Sequence, residues 1–151
     1  FFGEIVSVVG LGTNIIRNAK RHENGGVVLG FDTGMLATIT FSDATPTPWG
    51  FEAGTGESPY IPKTNQSSMF IACTHGGLEF PTLKLWSGAS NWNEKPIMEH
   101  QDIPEEVPLI RQLEHFSDVI RGKVTPIVDA KSARETLAVI LQIEQATMPA
   151  A

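Results

Sequence analysis

Two carboxylates and two aromatic rings stand close together in the segment SDATPTPWGFEAGTGESPYIPKTNQSS, residues 42–68: Trp49, Glu52, Glu57 and Tyr60, with Gly54 and Gly56 between the acids. Carboxylate oxygens accept hydrogen bonds from sugar hydroxyls. An aromatic face packs on sugar C–H bonds while its indole N–H or phenol O–H finds a polar partner. That combination suits the holding of a polyol and breaks no bond. The same acids also read as solvated surface groups, and Trp49 and Tyr60, with Phe51 of the same segment, as pins that fasten an Ω-loop over a sheet. On the residues alone both readings stay open.

Other candidate chemistry is thinner. GLGTN at 10–14 and GTGES at 54–58 are rich in glycine, but neither is G-x-G-x-x-G and neither joins a strand to a helix. Both lack the Lys-Ser/Thr of a phosphate loop, so they read as turns. His22, His75, His100 and His115 are widely spaced, without a second ligand of the usual kind at i+2 or i+4, which gives no metal site. Cys73 lies inside an apolar run and reads as a buried structural thiol. SGAS and GTGES are not the G-x-S-x-G nucleophile elbow. Glu105 and Glu106 precede Pro108, where negative charge suits a helix N-terminus. A self-sufficient hydrolase needs a nucleophile–base pair, and none is present. The residues therefore give no catalytic constellation, only a binding surface.

The elements that would carry that surface are legible from periodicity. Ile5, Val6, Val8, Val9 and Leu11 make a β-branched run that predicts a first strand, punctuated at its end by Gly10 and Gly12. Residues 17–24, RNAKRHEN, read as a solvated loop. GGVVLGFDTGMLATITFSD, residues 25–43, predicts a hairpin turning at Asp32-Thr33-Gly34. Val27, Leu29 and Phe31 point one way, and Leu36, Thr38 and Thr40 alternate with Met35, Ala37, Ile39 and Phe41. Prolines and glycines through 42–68 speak against a helix or a long strand there. Met69–Thr74 predicts a strand, Gly76-Gly77 a turn, Leu78–Trp86 one strand or two with an edge or bulge at Pro81, and 97–101 a short strand.

The period then changes. Pro108 opens a helix on which Leu109, Leu113, Phe116 and Ile120 share a stripe, and Gly122 closes it. Asp129 caps a second helix with Ala133, Leu137, Ile140 and Leu141 on one face, and Pro149 lies beyond its end. Strands followed by two amphipathic helices predict an α+β fold: an open, predominantly antiparallel sheet with the helices packed on one face. The 151 residues suit one domain, and the net charge of −6 argues against nucleic acid and anionic membranes as partners. No apolar run is long enough to span a bilayer. One cysteine fits a reducing cytoplasm.

Taken in order, GGVVLGFDTGMLATITFSDATPTPWGFEAGTGESPYIP, MFIACTHGGLEFPTLKLW, the tryptophan of SNWNEKP, and LIRQLEHFSDVIRGKVTPIVDAKSARETLAVILQIEQA resemble the C-terminal domain of the Gfo/Idh/MocA family. These are NAD(P)-dependent oxidoreductases acting mainly on sugars, inositols and related polyols. The resemblance implies a glyceraldehyde-3-phosphate-dehydrogenase-like C-terminal domain over 1–151, serving substrate binding and oligomerisation. It implies that the Rossmann domain, with its glycine motif and Glu-Lys-Pro lysine, and the Asp-x-x-x-His helix belong to an N-terminal part. Phe1-Phe2-Gly3-Glu4-Ile5 resembles the junction that follows that helix. No catalytic residue is then expected in these residues, and NAD or NADP is expected in the full-length enzyme but not on this fragment.

Glu94-Lys95-Pro96 falls too late to match the family's lysine, so Lys95 reads as a surface residue. Trp49 is the expected wall of the substrate pocket, with Glu52, Glu57 and Tyr60 orienting hydroxyls. The resemblance also implies a homo-oligomer joined through the open sheet face, where the threonines of the hairpin and Leu83-Lys84-Leu85-Trp86 give a half-polar surface. The contrasting reading is a standalone sugar-binding or scaffold module without activity.

Overall fold

The computed structural model describes residues 2–17, 20–102 and 106–148. Its elements in chain order are β1 (Ile5–Thr13), β2 (Asn24–Phe31), β3 (Leu36–Ser42), α1 (Phe51–Thr55), β4 (Met69–Cys73), β5 (Gly76–Phe80), β6 (Lys84–Ser87), β7 (Ile97–His100), α2 (Pro108–Ile120) and α3 (Ala130–Thr147). They form two compact units, one of Phe1–Pro46 with Pro126–Ala151 and one of Thr47–Thr125. The class is α+β with open antiparallel sheets, as the sequence predicts. Two particulars differ from the expected single sheet with both helices on one face. The strands fall into sheets β1-β2-β3 and β4-β5-β6-β7, and of the two long helices only α3 lies on strands of its own unit among the described residues.

In the first unit the alternation of the hairpin sets the register. Val27 lies opposite Gly10 and Ile39, and Leu29 opposite Val8 and Ala37. Val27 and Leu29 are buried. Gly10 and Gly12 lie inside β1 and do not end it. A Cβ on Gly10 would come within 3.0 Å of the Thr147 methyl, and one on Gly12 within 2.7 Å of the Thr147 carbonyl oxygen. The missing side chains are what let the end of α3 close on the sheet. Gly34, at φ 84°, turns the hairpin. Its N–H donates to the Phe31 carbonyl at 3.0 Å, and Phe31 N–H donates to Met35 at 3.0 Å, a three-residue connection with glycine at the left-handed position. The opposite face of the sheet carries Val9, Leu11, Val28, Leu36, Thr38 and Thr40, all exposed.

The predicted solvated loop holds a buried acid. Glu23 is 1% exposed. Its carboxylate accepts from Ile16 N–H at 3.1 Å, from Arg17 N–H at 2.7 Å and from Arg17 Nε at 3.2 Å. Arg17 also reaches Asp43. A carboxylate taken from water needs such donors, and here the incoming chain supplies them.

In the second unit α1 appears where composition spoke against a helix. It is a single short stretch, closed at Gly56 (φ 73°), whose N–H donates to the Glu52 carbonyl. Phe51 stacks on Phe80 with ring centroids 5.9 Å apart, and Thr64 ties the segment to Pro48 and Ala53 at 2.7 and 3.2 Å. These contacts outweigh the weak local propensity. Gly76 and Gly77 are in β5, and the turn before them is Thr74-His75. Cys73, predicted buried, is exposed, because β4 is an edge of its sheet. Pro81 sits between β5 and β6 after a cis peptide.

α2 begins at Pro108 as predicted, and Gly122 follows it at φ 70°. Its stripe forms but stays open: Leu109, Leu113, Phe116 and Ile120 are 65, 68, 61 and 69% exposed. Among the described residues no strand or helix of its own unit packs on it. In α3, Asp129 accepts from Ser132 N–H at 2.8 Å, which is the predicted cap. Glu105 and Pro149 lie outside the described residues. Among the described residues no helix is long and apolar enough to cross a membrane.

Candidate functional site

A cleft of about 890 Å³ opens in the second unit. One wall is the end of α1 and the chain after it, with Gly54, Gly56, Glu57, Lys63 and Asn65. The other is Pro81, Thr82 and Lys84, the end of β7 at His100, Asp102, and the start of α2 at Glu106, Val107 and Pro108. Apolar surface therefore alternates with groups that donate, accept or do both.

Sheet register builds the polar side. Glu79 of β5 lies opposite Lys84 of β6, and Lys84 lies opposite His100 of β7. Residues directly opposite share a face, so three ionisable side chains form one row across three strands. Lys84 Nζ stands 3.4 Å from Glu79, and His100 Nδ1 stands 3.2 Å from Asp102. Behind the row, Glu79 accepts from Trp86 Nε1 at 2.9 Å and from Ser67 Oγ at 3.2 Å, and Ser67, itself buried, also bonds Thr82. Glu106 is held by Arg111, whose guanidinium keeps that carboxyl below its ordinary range. Asn65 (φ 54°) and Leu83 (φ 51°) are both left-handed. Leu83 sits between the cleft residues Thr82 and Lys84, and such backbone persists only where its surroundings fix it.

The Trp86 N–H, then Lys84 and Ser67, hold the Glu79 carboxyl below its ordinary value of 4.5. A carboxyl whose folded pKa is depressed stabilises the fold above its unfolded pKa, and that contribution is lost as pH falls through the folded value. Glu79→Gln is expected to lose less stability than the wild type between neutral pH and the acid side of 4.5, read from urea midpoints. Equal losses in the two proteins would mean that Glu79 is not the titrating group.

Of the four residues predicted to touch a substrate, Glu57 lines this cleft, and Trp49, Glu52 and Tyr60 do not. Glu52 is an exposed residue of α1. Trp49 and Tyr60 are 62% and 93% exposed, and the ring that pins the segment is Phe51. Sequence reading assigns none of Lys63, Lys84 and His100 to a substrate site. The signal for Lys84 was present: in Leu83-Lys84-Leu85-Trp86 the alternation puts Lys84 and Trp86 on one face.

The lining mixes ammonium, amide, hydroxyl and carboxylate groups against proline and valine walls, and its charges are largely paired within the chain. Such a lining can meet a polyhydroxylated ligand group by group, each hydroxyl being both donor and acceptor. Among the described residues no three His, Cys, Asp or Glu side chains gather as a metal site requires. All strand pairs of the described residues are antiparallel. They include no βαβ unit whose glycine turn could receive a pyrophosphate.

No protein-family model and no curated protein matches the chain. Among solved structures it is similar to UDP-N-acetylglucosamine 3-dehydrogenase GnnA from Acidithiobacillus ferrooxidans in two structures, with TM-scores of 0.70 and 0.68. Identity is 17% in both, and each match covers 96% of this chain and 41% of the neighbour. The chain thus spans 41% of the length of that dehydrogenase, and what it shares with it is the fold of one part: an α+β body of open antiparallel sheets.

Proposed function

We propose that these residues are the substrate-binding and oligomerisation domain of an NAD(P)-dependent oxidoreductase of the Gfo/Idh/MocA kind, acting in the cytoplasm on a sugar, inositol or related polyol. The observation that carries this reading is the fold likeness, 96% of this chain laid on 41% of a sugar-nucleotide dehydrogenase. The cofactor, when bound, accepts or supplies the hydride at the substrate's carbinol carbon. The part of the protein that holds it lies N-terminal to Phe1 in this reading, as a βαβ dinucleotide domain of about 120 residues or more.

The role of the present residues is orientation. Glu57, Thr82, Lys84 and His100 address hydroxyls from the cleft. Trp49, Glu52 and Tyr60, on the same segment as Glu57, supply an aromatic wall and further acceptors toward a substrate that extends beyond the cleft. The threonine-bearing face of the first sheet is the contact between subunits, since a bare apolar sheet face marks an interaction surface.

Titration of NADH with the 151-residue chain tests the division of labour. No change in nicotinamide fluorescence is expected, and saturable binding in the micromolar range would overturn it.

A further inference from the structure

The connection between β6 and β7 presents a tryptophan to solvent on a rigid mount. Trp92 is 104% exposed. The turn beneath it is closed by one carboxylate: Glu94 accepts from Ser90 N–H at 2.8 Å, Ser90 Oγ at 2.9 Å and Asn91 Nδ2 at 2.6 Å. Asn93 N–H donates to Asn91 Oδ1 at 3.0 Å, and Glu94 N–H to the Asn91 carbonyl at 3.2 Å. These bonds hold the Glu94 carboxyl ionised, with its pKa lowered by Ser90 and Asn91. A large ring so fixed loses little conformational freedom on burial, which is the property of an interface anchor.

At the base of the same connection is a shallow hollow of about 480 Å³ lined by Trp86, Lys95, Pro96, Ile97 and Met98. Knob and hollow are only a few residues apart, and Trp92, fully exposed, does not line its own hollow. Charge names the occupant. Lys95, on the rim, makes no ion pair among the described residues, and Glu94 beside the knob is its complement. A cation on the rim also suits the face of an inserted indole. β7 runs beside the hollow as a sheet edge, with every residue exposed.

We propose that two copies of this chain join about a two-fold axis through this connection, Trp92 of each seated in the hollow of the other and Glu94 facing Lys95. The contact is isologous, since one patch carries both halves of the fit. It rests on the reading of the chain as an oligomerising domain.

The test is the dimer dissociation constant of the full chain by sedimentation equilibrium. Trp92→Ala is expected to raise it about thirtyfold or more with an unchanged far-ultraviolet spectrum, and Trp92→Phe to raise it less. In a Cys73→Ser background, Trp92→Cys with Met98→Cys is expected to give a disulfide-linked dimer. A Trp92→Ala constant within about twofold of wild type overturns the proposal. If Leu36→Lys, on the open face of the first sheet, still dissociates the dimer in that case, the wider oligomerisation reading stands. A wild type that is monomeric throughout overturns both.

Discussion

Glu23→Ala is expected to lower the unfolding free energy by about 3 kcal/mol, the range for stripping a buried, hydrogen-bonded acid from its partners. The side chain is 1% exposed, and its removal leaves the N–H groups of Ile16 and Arg17 without their acceptor. It also cuts Arg17 from one of its two acids. Asp43→Ala removes the other, exposed acid and is expected to cost under about 1 kcal/mol, as surface ion pairs do. Glu23→Gln keeps an acceptor oxygen and falls between. Denaturant midpoints measure all three. A loss for Glu23→Ala no larger than that for Asp43→Ala would show that the β1–β2 connection is held by something else.

Gly54→Ala is the second large effect, and its sign is decided by geometry. In an ordinary helix interior, alanine for glycine gains about 1 kcal/mol. Here the new Cβ would lie 2.5 Å from the Gln66 carbonyl oxygen and 3.1 and 3.2 Å from Pro81. The first is backbone and cannot swing aside. α1 must lift, and the expected net loss is about 2 kcal/mol. Because Gly54 and Pro81 both line the cleft and would be pushed apart, the same change distorts it, and polyol affinity is expected to fall with stability. Gly50→Ala, at φ −69° with open space around it, is the control, expected within about 0.5 kcal/mol of wild type. Thermal unfolding of both variants decides the matter, and equal melting temperatures would refute the close approach.

What the sequence made legible is what period and punctuation encode. The hairpin's alternation places Val27 and Leu29 on the inner face and Thr38 and Thr40 on the other, and the observed register does the same. Pro108 and Asp129 mark the helix starts at which α2 and α3 begin. The rest depended on partners distant in sequence. Glu23 reads as solvent in a charged stretch, and only closure of β1 on β2 buries it. α1 has poor propensity and is held by Phe80 and Thr64. The Lys84–His100 pairing needs the length of the β6–β7 connection, which periodicity does not give. Residue type and setting single out Glu57 as a hydroxyl acceptor, and it lines the cleft, whereas Lys63 and Asn65 carry no local sign of facing the same space.

The stripe on α2 has a bearing on how this polypeptide behaves in the cell. A helix of 13 residues is marginal in water without an apolar neighbour. Its charged side is already settled by Arg111 with Glu106 and Glu114 and by Asp118 with Lys123. Only the greasy side remains unsatisfied. Until something covers that side, a chain bearing such an open stripe offers chaperones and proteases a ready handle.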